Sequence, residues 1–150
     1  MGTFRIFPHI LALAAAYALA VPIGWDRERA DRSAGLRTFP LVAVATCGFI
    51  QATEEVIGNH PEGQGQIIGG LITGVGFIGG GAILQQGKSV HGTATAASLW
   101  ATGAIGTAVG LGAYDSALVI AAFTILTLRL LAPLKRQGQG DEQDRKPDKP

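Results

Sequence analysis

The chain is poor in charge and in cysteine. Charged residues make up 15% of its 150 residues, whereas soluble domains carry about 25%. The net charge of +1 says little by itself, because the information lies in where the 12 basic residues are placed, and we expect no nucleic-acid partner. The single cysteine, Cys47, cannot form a disulfide within the chain, and the redox compartment is left open.

Glycine, by contrast, is abundant. The 22 glycines follow no collagen period, and many lie in the uncharged stretch from Gly70 to Leu84, GLITGVGFIGGGAIL. In a soluble helix each of them would cost roughly 1 kcal/mol relative to alanine. In a bilayer the same glycines let helices approach closely, and the absence of water keeps the backbone hydrogen-bonded. The sequence therefore predicts a membrane protein.

Five apolar stretches are long enough to cross a hydrocarbon core of roughly 30 Å, which takes about 20 residues. We predict an all-α, polytopic membrane domain over residues 1–134, followed by a polar, disordered tail at 135–150. The first stretch also resembles a signal peptide ending at Ala20, but cleavage there would leave an arginine-rich loop outside. The predicted segments are Phe4–Trp25, Thr38–Ile57, Ile67–Gln85, Thr93–Leu111 and Ser116–Leu134.

Lysine and arginine fall on alternate loops, and this pattern predicts the topology. The first loop holds four arginines and the third holds Lys88, while the second and fourth loops carry neither residue type. Because loops rich in lysine and arginine stay on the cytoplasmic side, we predict five spans with the N-terminus outside and the C-terminus in the cytoplasm. Only Arg5 lies on the wrong side in this arrangement.

Small residues recur at helical spacing in the third and fourth segments. The fourth segment has one at every fourth position from Ala94 to Gly110. Such rows give a smooth face on which another helix can pack closely. They either pack the two segments together or form a docking surface for another subunit or another membrane protein. The predicted packing positions are Gly70, Gly74, Gly76, Gly79, Gly80, Gly81, Gly106 and Gly110.

Two glycine motifs look like nucleotide-binding loops but lack the context that such loops need. The stretch 74–79 matches GxGxxG, yet no acidic residue follows about 20 positions later, as a dinucleotide site requires. The stretch 81–89, GAILQQGKS, has five residues between its glycines instead of the four of a P-loop. We therefore expect no nucleotide cofactor.

Candidate catalytic and metal-binding groups are sparse. The three histidines are scattered, nothing resembles a nucleophile–base arrangement, and Ser98 has no plausible base beside it, so we expect no cofactor, no metal cage and no enzymatic activity. Glu54 and Glu55 are the only acids at membrane depth. They either line an ion path, as intramembrane carboxylates often do, or lie solvated at the outer interface.

The first cytoplasmic loop alternates acids and bases. It begins with GWDRER at Gly24 and reaches the second segment through AGLRT. Basic residues alone would anchor the topology and meet anionic lipid headgroups, at about 1 kcal/mol per residue. Asp26 is not explained by such an anchor. The loop is therefore either a charged anchor or a specific interaction site.

Three patterns in order resemble the MgtC/SapB family of bacterial inner-membrane proteins. GWDRERADRSAGLRTFPL, at Gly24 to Leu41, is similar to the family's G-x-E-R…AGLRT-x-x-L, with Asp26 in place of the usual glutamate. ITGVGFIGGGAIL, at Ile72 to Leu84, is similar to IVTGIGFLGAGAI, and 90–102 is similar to VRGL-T-TAASLW. The soluble C-terminal domain of virulence-associated members has no counterpart after Leu134, so the shorter, SapB-like branch is the closer match.

The resemblance implies a protein tied to growth or survival at low magnesium and, in pathogens, to virulence. It points to regulation of other membrane proteins, including the ATP synthase, and it leaves room for a homo-oligomer in the lipid bilayer. Carried over by position, it implies a polar cluster at the cytoplasmic face between helices. The residues of that predicted cluster are Asp26, Arg27, Arg37, Thr38, Thr95, Ser98 and Trp100.

Two functions of different classes remain open. The first is a non-enzymatic membrane protein that binds and regulates partners through its small-residue faces. The second is a transporter or channel for Mg²⁺ or another ion, which would need a polar path at mid-membrane. The first, third and fourth segments carry no ionisable residue near their centres, so the sequence favours binding over conduction.

Overall fold

The computed structural model describes residues 6–58, 60–86 and 89–131. They form five helices and one short antiparallel hairpin, which lies between the third and fourth helices. The predicted tail at 135–150 lies outside the described residues. The elements are α1 (Ile6–Arg29), α2 (Thr38–Ile57), α3 (Pro61–Gly81), β1 (Leu84–Gln86), β2 (Ser89–His91), α4 (Thr93–Gly110) and α5 (Tyr114–Leu130).

The prediction of five helices is confirmed, and α2 has the predicted bounds. Helix α1 differs because it continues past Trp25 through the charged residues to Arg29. The last turn of a helix carries partial negative charge, so Arg27 and Arg29 stabilise this extension. The residues predicted to open the first loop are therefore helical.

Helix α3 begins six residues before the predicted start at Ile67. Pro61 occupies a first-turn position, where its missing N–H costs nothing, and Glu62 complements the positive end of the helix. The helix ends at Gly81, four residues before the predicted end. Three consecutive glycines at 79–81 are weak helix formers, so apolar character continues beyond the helix itself.

The hairpin is an element that the all-α prediction did not contain. Leu84 pairs with His91 and Gln85 with Val90 across the two strands. Gly92 ends the hairpin with a φ of 89°, and a side chain at that position would collide with the carbonyl oxygen of Ala82. Only glycine accepts both this backbone conformation and this contact.

Helix α4 is the centre of the bundle and contacts each of the other four helices. Its buried positions lie on all sides of the helix, which is typical of a helix enclosed by others. Helix α3 is peripheral, since only Val75 and Gly79 are buried on it. The core therefore lies between α4 and the faces of α1, α2 and α5.

Small residues on α4 allow α2 and α3 to pack closely against it. A methyl group on Gly106 would collide with the Ala43 carbonyl oxygen of α2, and one on Gly110 would lie 2.7 Å from Ile50 Cβ. On the other side, a methyl group on Gly103 would lie 2.9 Å from Val75 of α3. The predicted row at Gly106 and Gly110 thus packs on α2, whereas α3 packs on Gly103.

The glycines of α3 differ from the prediction. At Gly79 an added methyl group would lie 3.2 Å from the carbonyl oxygen of Ala96, so this glycine does bring α3 close to α4. At five other predicted packing positions an added methyl group meets nothing within 4 Å, because they face away from α4. Those five positions are Gly70, Gly74, Gly76, Gly80 and Gly81. Within the described chain they pack on no neighbour, and their use as a docking surface stays a prediction.

Hydroxyl groups in the core are satisfied within their own helices. The Thr46 hydroxyl donates to the carbonyl oxygen of Val42 at 3.0 Å, and that of Thr102 donates to the carbonyl oxygen of Ser98 at 2.8 Å. No buried side-chain nitrogen or oxygen in the described ranges lacks a hydrogen-bond partner. By length and apolar character, α1 is the one described helix that meets a membrane-span criterion.

Candidate functional site

Asp26 and Arg27 form an ion pair on the last turns of α1. The Arg27 guanidinium donates to Asp26 Oδ2 from Nη2 at 2.5 Å and from Nε at 3.2 Å. The arginine is buried, at 6% exposure, and the Asp26 side chain is 18% exposed. A charge at such depth requires a partner. Asp26 supplies it, which accounts for the acid that a basic anchor alone did not explain.

Arg129 extends this ion pair to a second helix. Its Nε lies 3.7 Å from Asp26 Oδ1, so the carboxylate lies between arginines of α1 and α5. The Arg129 side chain is 61% exposed and faces the surface. Arg129 was not among the residues predicted for the site. Its position near the end of a segment on the same predicted side as Asp26 was the signal that could have identified it.

Glu28 fixes the connection between α1 and α2. Its Oε2 accepts a hydrogen bond from the backbone N–H of Leu36 at 3.0 Å. A side chain at Gly35 would collide with this same carboxylate, and one at Gly24 would lie 3.2 Å from the Gly35 carbonyl oxygen. The AGLRT segment therefore folds back onto the end of α1, and its glycine is required by close contact.

Trp25 and Arg29 form the exposed edge of the same region. The Arg29 guanidinium carbon lies 5.3 Å from the centre of the Trp25 ring, a cation–π geometry. Trp25 is 47% exposed. Together with Arg129 these side chains present cations and an aromatic ring at the surface, where they can meet lipid headgroups or a partner protein.

Arg37 and Thr38 belong to a different surface. They lie at the start of α2, where Arg37 is exposed and Thr38 is half-buried. Among the described residues, the Arg37 side chain has no hydrogen bond or ion pair. Both residues line a groove between α2 and α3. The prediction that they join Asp26 in one cluster is therefore not supported by any contact in the described chain.

The predicted residues of α4 are also separate from the ion pair. Thr95 and Ser98 are buried, and the Ser98 hydroxyl donates to the Thr95 carbonyl oxygen at 2.9 Å. Trp100 is 52% exposed and lines an apolar groove of about 280 Å³ between α3 and α4. No hydrogen bond or ion pair in the described part of the chain joins these side chains to Asp26. Among the seven predicted residues, hydrogen bonds and ion pairs in the described chain connect only Arg27 with Asp26 and Ser98 with Thr95.

The two acids predicted for an ion path lie in the last turns of α2. Glu54 is exposed, and its carbonyl oxygen accepts the N–H of Gly58 at 3.0 Å, which closes the helix end. The Glu55 side chain lies outside the described set. No group of three histidine, cysteine, aspartate or glutamate side chains converges within the described ranges. An ion path through Glu54 stays a prediction.

Chemically, the ion pair Asp26–Arg27 with Arg129 can hold the ends of α1 and α5 together. It also leaves cationic groups at the surface around that junction. The buried hydroxyls of α4 are occupied by bonds to their own helix, as in Ser98 and Thr102.

Comparison with known proteins gives consistent matches over most of the chain. The model of the MgtC family matches residues 13–137. Protein MgtC of Salmonella typhimurium is 41% identical over 123 residues, covering 82% of this chain and 51% of the relative. Protein MgtC of Brucella abortus is 38% identical over 122 residues, covering 81% and 50%.

A third relative, an uncharacterized protein of Synechocystis, is 35% identical over 125 residues, covering 83% of this chain and 53% of the relative. The chain spans about half the length of the curated relatives it matches. No solved structure matches it. The matched range includes the ion pair, the groove between α2 and α3, and all of α4.

Proposed function

Because the chain belongs to the MgtC family, we propose that it is a multi-pass protein of the bacterial inner membrane. It supports growth at low magnesium by binding and regulating other membrane proteins, and it does so without an enzymatic reaction. The protein crosses the membrane five times, with its N-terminus outside and its C-terminus in the cytoplasm.

The contact between α1 and α5 supports this topology. Asp26 is near the end of α1 and Arg129 is near the end of α5, and the two side chains meet at 3.7 Å. This contact supports a topology in which both helix ends lie on the same side of the membrane. The basic residues of α1 and α5 are gathered at that end, which is the cytoplasmic side by the positive-inside rule.

Cysteine labelling tests the topology, because the native Cys47 is buried. Ser33 lies in the first loop and Asp115 in the first turn of α5, and both are exposed. A membrane-impermeant maleimide should label Asp115→Cys in intact spheroplasts and Ser33→Cys only after permeabilisation. Labelling of both variants in intact spheroplasts, or the reverse order, would refute the arrangement.

The single observation that favours binding over conduction is the apolar interior of the bundle. The core hydroxyls of Thr46, Ser98 and Thr102 donate to their own helices. No charged residue occurs within 39–53, 67–81 or 93–110. An ion that crossed this bundle would find few free oxygen ligands, and intramembrane ion paths are lined by ionisable side chains.

The open face of α3 supports the partner-binding part of the proposal. Gly76 and Gly80 lie one turn apart on a side of α3 that lies outside both grooves, and a methyl group added at either would meet nothing within 4 Å. Small residues at such spacing allow a second helix to approach closely in a bilayer. The partner is then a membrane protein whose helix packs here, and the ATP synthase is the candidate that family resemblance suggests.

A deletion strain of the host bacterium tests the proposed function. The strain is shifted to low magnesium, and total cell Mg²⁺ and ATP are followed together, with the wild-type gene restored as a control. The proposal predicts a change in ATP or membrane potential while cell Mg²⁺ is still normal. A fall in cell Mg²⁺ that precedes any change in ATP would favour the ion transporter instead.

A further inference from the structure

The groove between α2 and α3 is not part of the surface proposed above for partner proteins, and its shape and charge suit a different kind of ligand. It has a volume of about 480 Å³, within the range of roughly 300–1,000 Å³ for sites that hold small molecules. One wall is formed by exposed side chains at every fourth position of α2. The row is Arg37, Leu41, Ala45 and Phe49.

The facing wall is formed by α3, where a glycine leaves open space. Leu71, Val75 and Ile78 line this wall, and Gly74 leaves open space within 4 Å of where its side chain would begin. Thr46, whose hydroxyl is already bonded to its own helix, contributes to the floor. Apart from the two residues at its mouth, the groove is therefore almost entirely apolar.

The mouth of the groove is cationic. Arg37 is exposed and has no ion pair or hydrogen bond through its side chain within the described ranges, and Thr38 lies beside it. None of the residues that line the groove carries a carboxylate. The groove between α3 and α4 has no such cation among its lining residues. An anionic group at the α2–α3 mouth would complement the free guanidinium.

The length of the groove matches one leaflet of a bilayer. Arg37 and Phe49 are twelve residues apart on a helix, which corresponds to about 18 Å. Half of a hydrocarbon core of roughly 30 Å is about 15 Å. In the proposed topology Arg37 lies at the cytoplasmic headgroup level, so the groove runs from there to the middle of the membrane.

From these observations we infer that the α2–α3 groove binds one anionic phospholipid of the inner leaflet. The phosphate lies at the Arg37 guanidinium and the Thr38 hydroxyl, and an acyl chain lies along Leu41 and Phe49 over the space left by Gly74. Cationic pockets between transmembrane helices on the cytoplasmic side favour such headgroups. The inference rests on the proposed membrane topology.

The test uses a photoreactive residue that reports whatever fills the groove. Benzoylphenylalanine replaces Phe49 inside the groove or, as a matched control, Phe123, which is 66% exposed on α5 and lies outside both grooves. The full chain is placed in vesicles of phosphatidylcholine with a minor share of phosphatidylglycerol. After irradiation, the mass of each protein adduct identifies the attached molecule.

The proposal predicts that adducts at position 49 are enriched in phosphatidylglycerol, while adducts at position 123 follow the bulk lipid ratio. Arg37→Gln should lower the enrichment about fivefold, the loss of one basic contact at the surface. Gly74→Leu should remove it by filling the groove, and Gly76→Leu, also in open space but outside the groove, should leave it unchanged.

Three other outcomes would each refute a part of the proposal or its premise. The bulk lipid ratio at both positions would refute the lipid site and leave the membrane topology intact. A covalent dimer at position 49 would refute the lipid site and assign the groove to a second copy of the chain. Failure of position 49 alone to give lipid adducts would refute the lipid site, and failure of both positions would refute the membrane topology on which the inference rests.

Discussion

Replacing Gly106 with alanine should destabilise the bundle, although alanine is the better helix former. The added methyl group would collide with the Ala43 carbonyl oxygen and the Thr46 hydroxyl of α2. Ala43 meets it with a backbone atom, which can move only if the whole helix moves. The collision therefore cannot be relieved by a side-chain rotation.

The expected magnitude follows from two opposing effects. Overpacking a tight core typically costs about 1–3 kcal/mol, and a rigid backbone neighbour places Gly106→Ala near the upper end. Replacing glycine by alanine in a helix recovers about 1 kcal/mol. Gly106→Ala should therefore lower the free energy of unfolding by about 2 kcal/mol. At Gly74, where the methyl group meets nothing, the same substitution should give only the gain of about 1 kcal/mol.

The assay is reversible unfolding in mixed detergent micelles, followed by helical circular dichroism. The two variants carry the same glycine-to-alanine change on helices of the same bundle. The difference of about 3 kcal/mol between their free energies of unfolding therefore isolates the packing contact at Gly106. If Gly106→Ala were as stable as Gly74→Ala, the close approach of α4 to α2 would be refuted.

Two further substitutions test other parts of the structure. Asp26→Ala should lower the free energy of unfolding by about 3–5 kcal/mol, because it leaves the buried Arg27 guanidinium without its carboxylate. Asp26→Glu should restore most of the lost stability. Equal stability of the wild-type protein and both variants would contradict a buried ion pair. Gly92→Ala should cost more than about 1–3 kcal/mol, because a strained backbone is combined with a collision against Ala82. Gly112→Ala, also at positive φ but in open space, should cost less, and amide hydrogen exchange around each glycine would show the difference.

Much of the helical layout could be predicted from apolar length alone. The bounds of α2 and the start of α4 follow from where polar residues interrupt the apolar runs. The start of α3 was missed because the loop between α2 and α3 is polar, while Pro61 and Glu62 act as helix-start signals independently of polarity. The hairpin was missed because each strand has only three residues, most of them polar, so this stretch shows no run of alternating apolar residues.

The roles of individual glycines could not be predicted from spacing. Gly74 and Gly106 both belong to rows with a period of four, yet one faces open space and the other touches α2. Spacing fixes which residues share a face of a helix, but the identity of the neighbour depends on how all five helices are arranged. The same holds for Arg129, whose contact with Asp26 depends on the pairing of α1 with α5.

The candidate site was predicted in part. Asp26 and Arg27 were chosen by resemblance, and they form the buried ion pair. Arg37 was also chosen by resemblance and was placed in the same cluster at the cytoplasmic ends of the first two segments. The loop folds back through Gly35, so Arg37 opens onto the α2–α3 groove instead.

The central claim, that the protein acts on other membrane proteins and does not itself move ions, is tested most directly by flux measurements. The purified full chain is reconstituted into vesicles that contain a Mg²⁺-sensitive dye, and an inward Mg²⁺ gradient is applied. The account predicts the same slow dye response as in vesicles without protein. A saturable Mg²⁺ influx that requires the protein, and that Glu54→Gln abolishes, would contradict the account and establish the ion path.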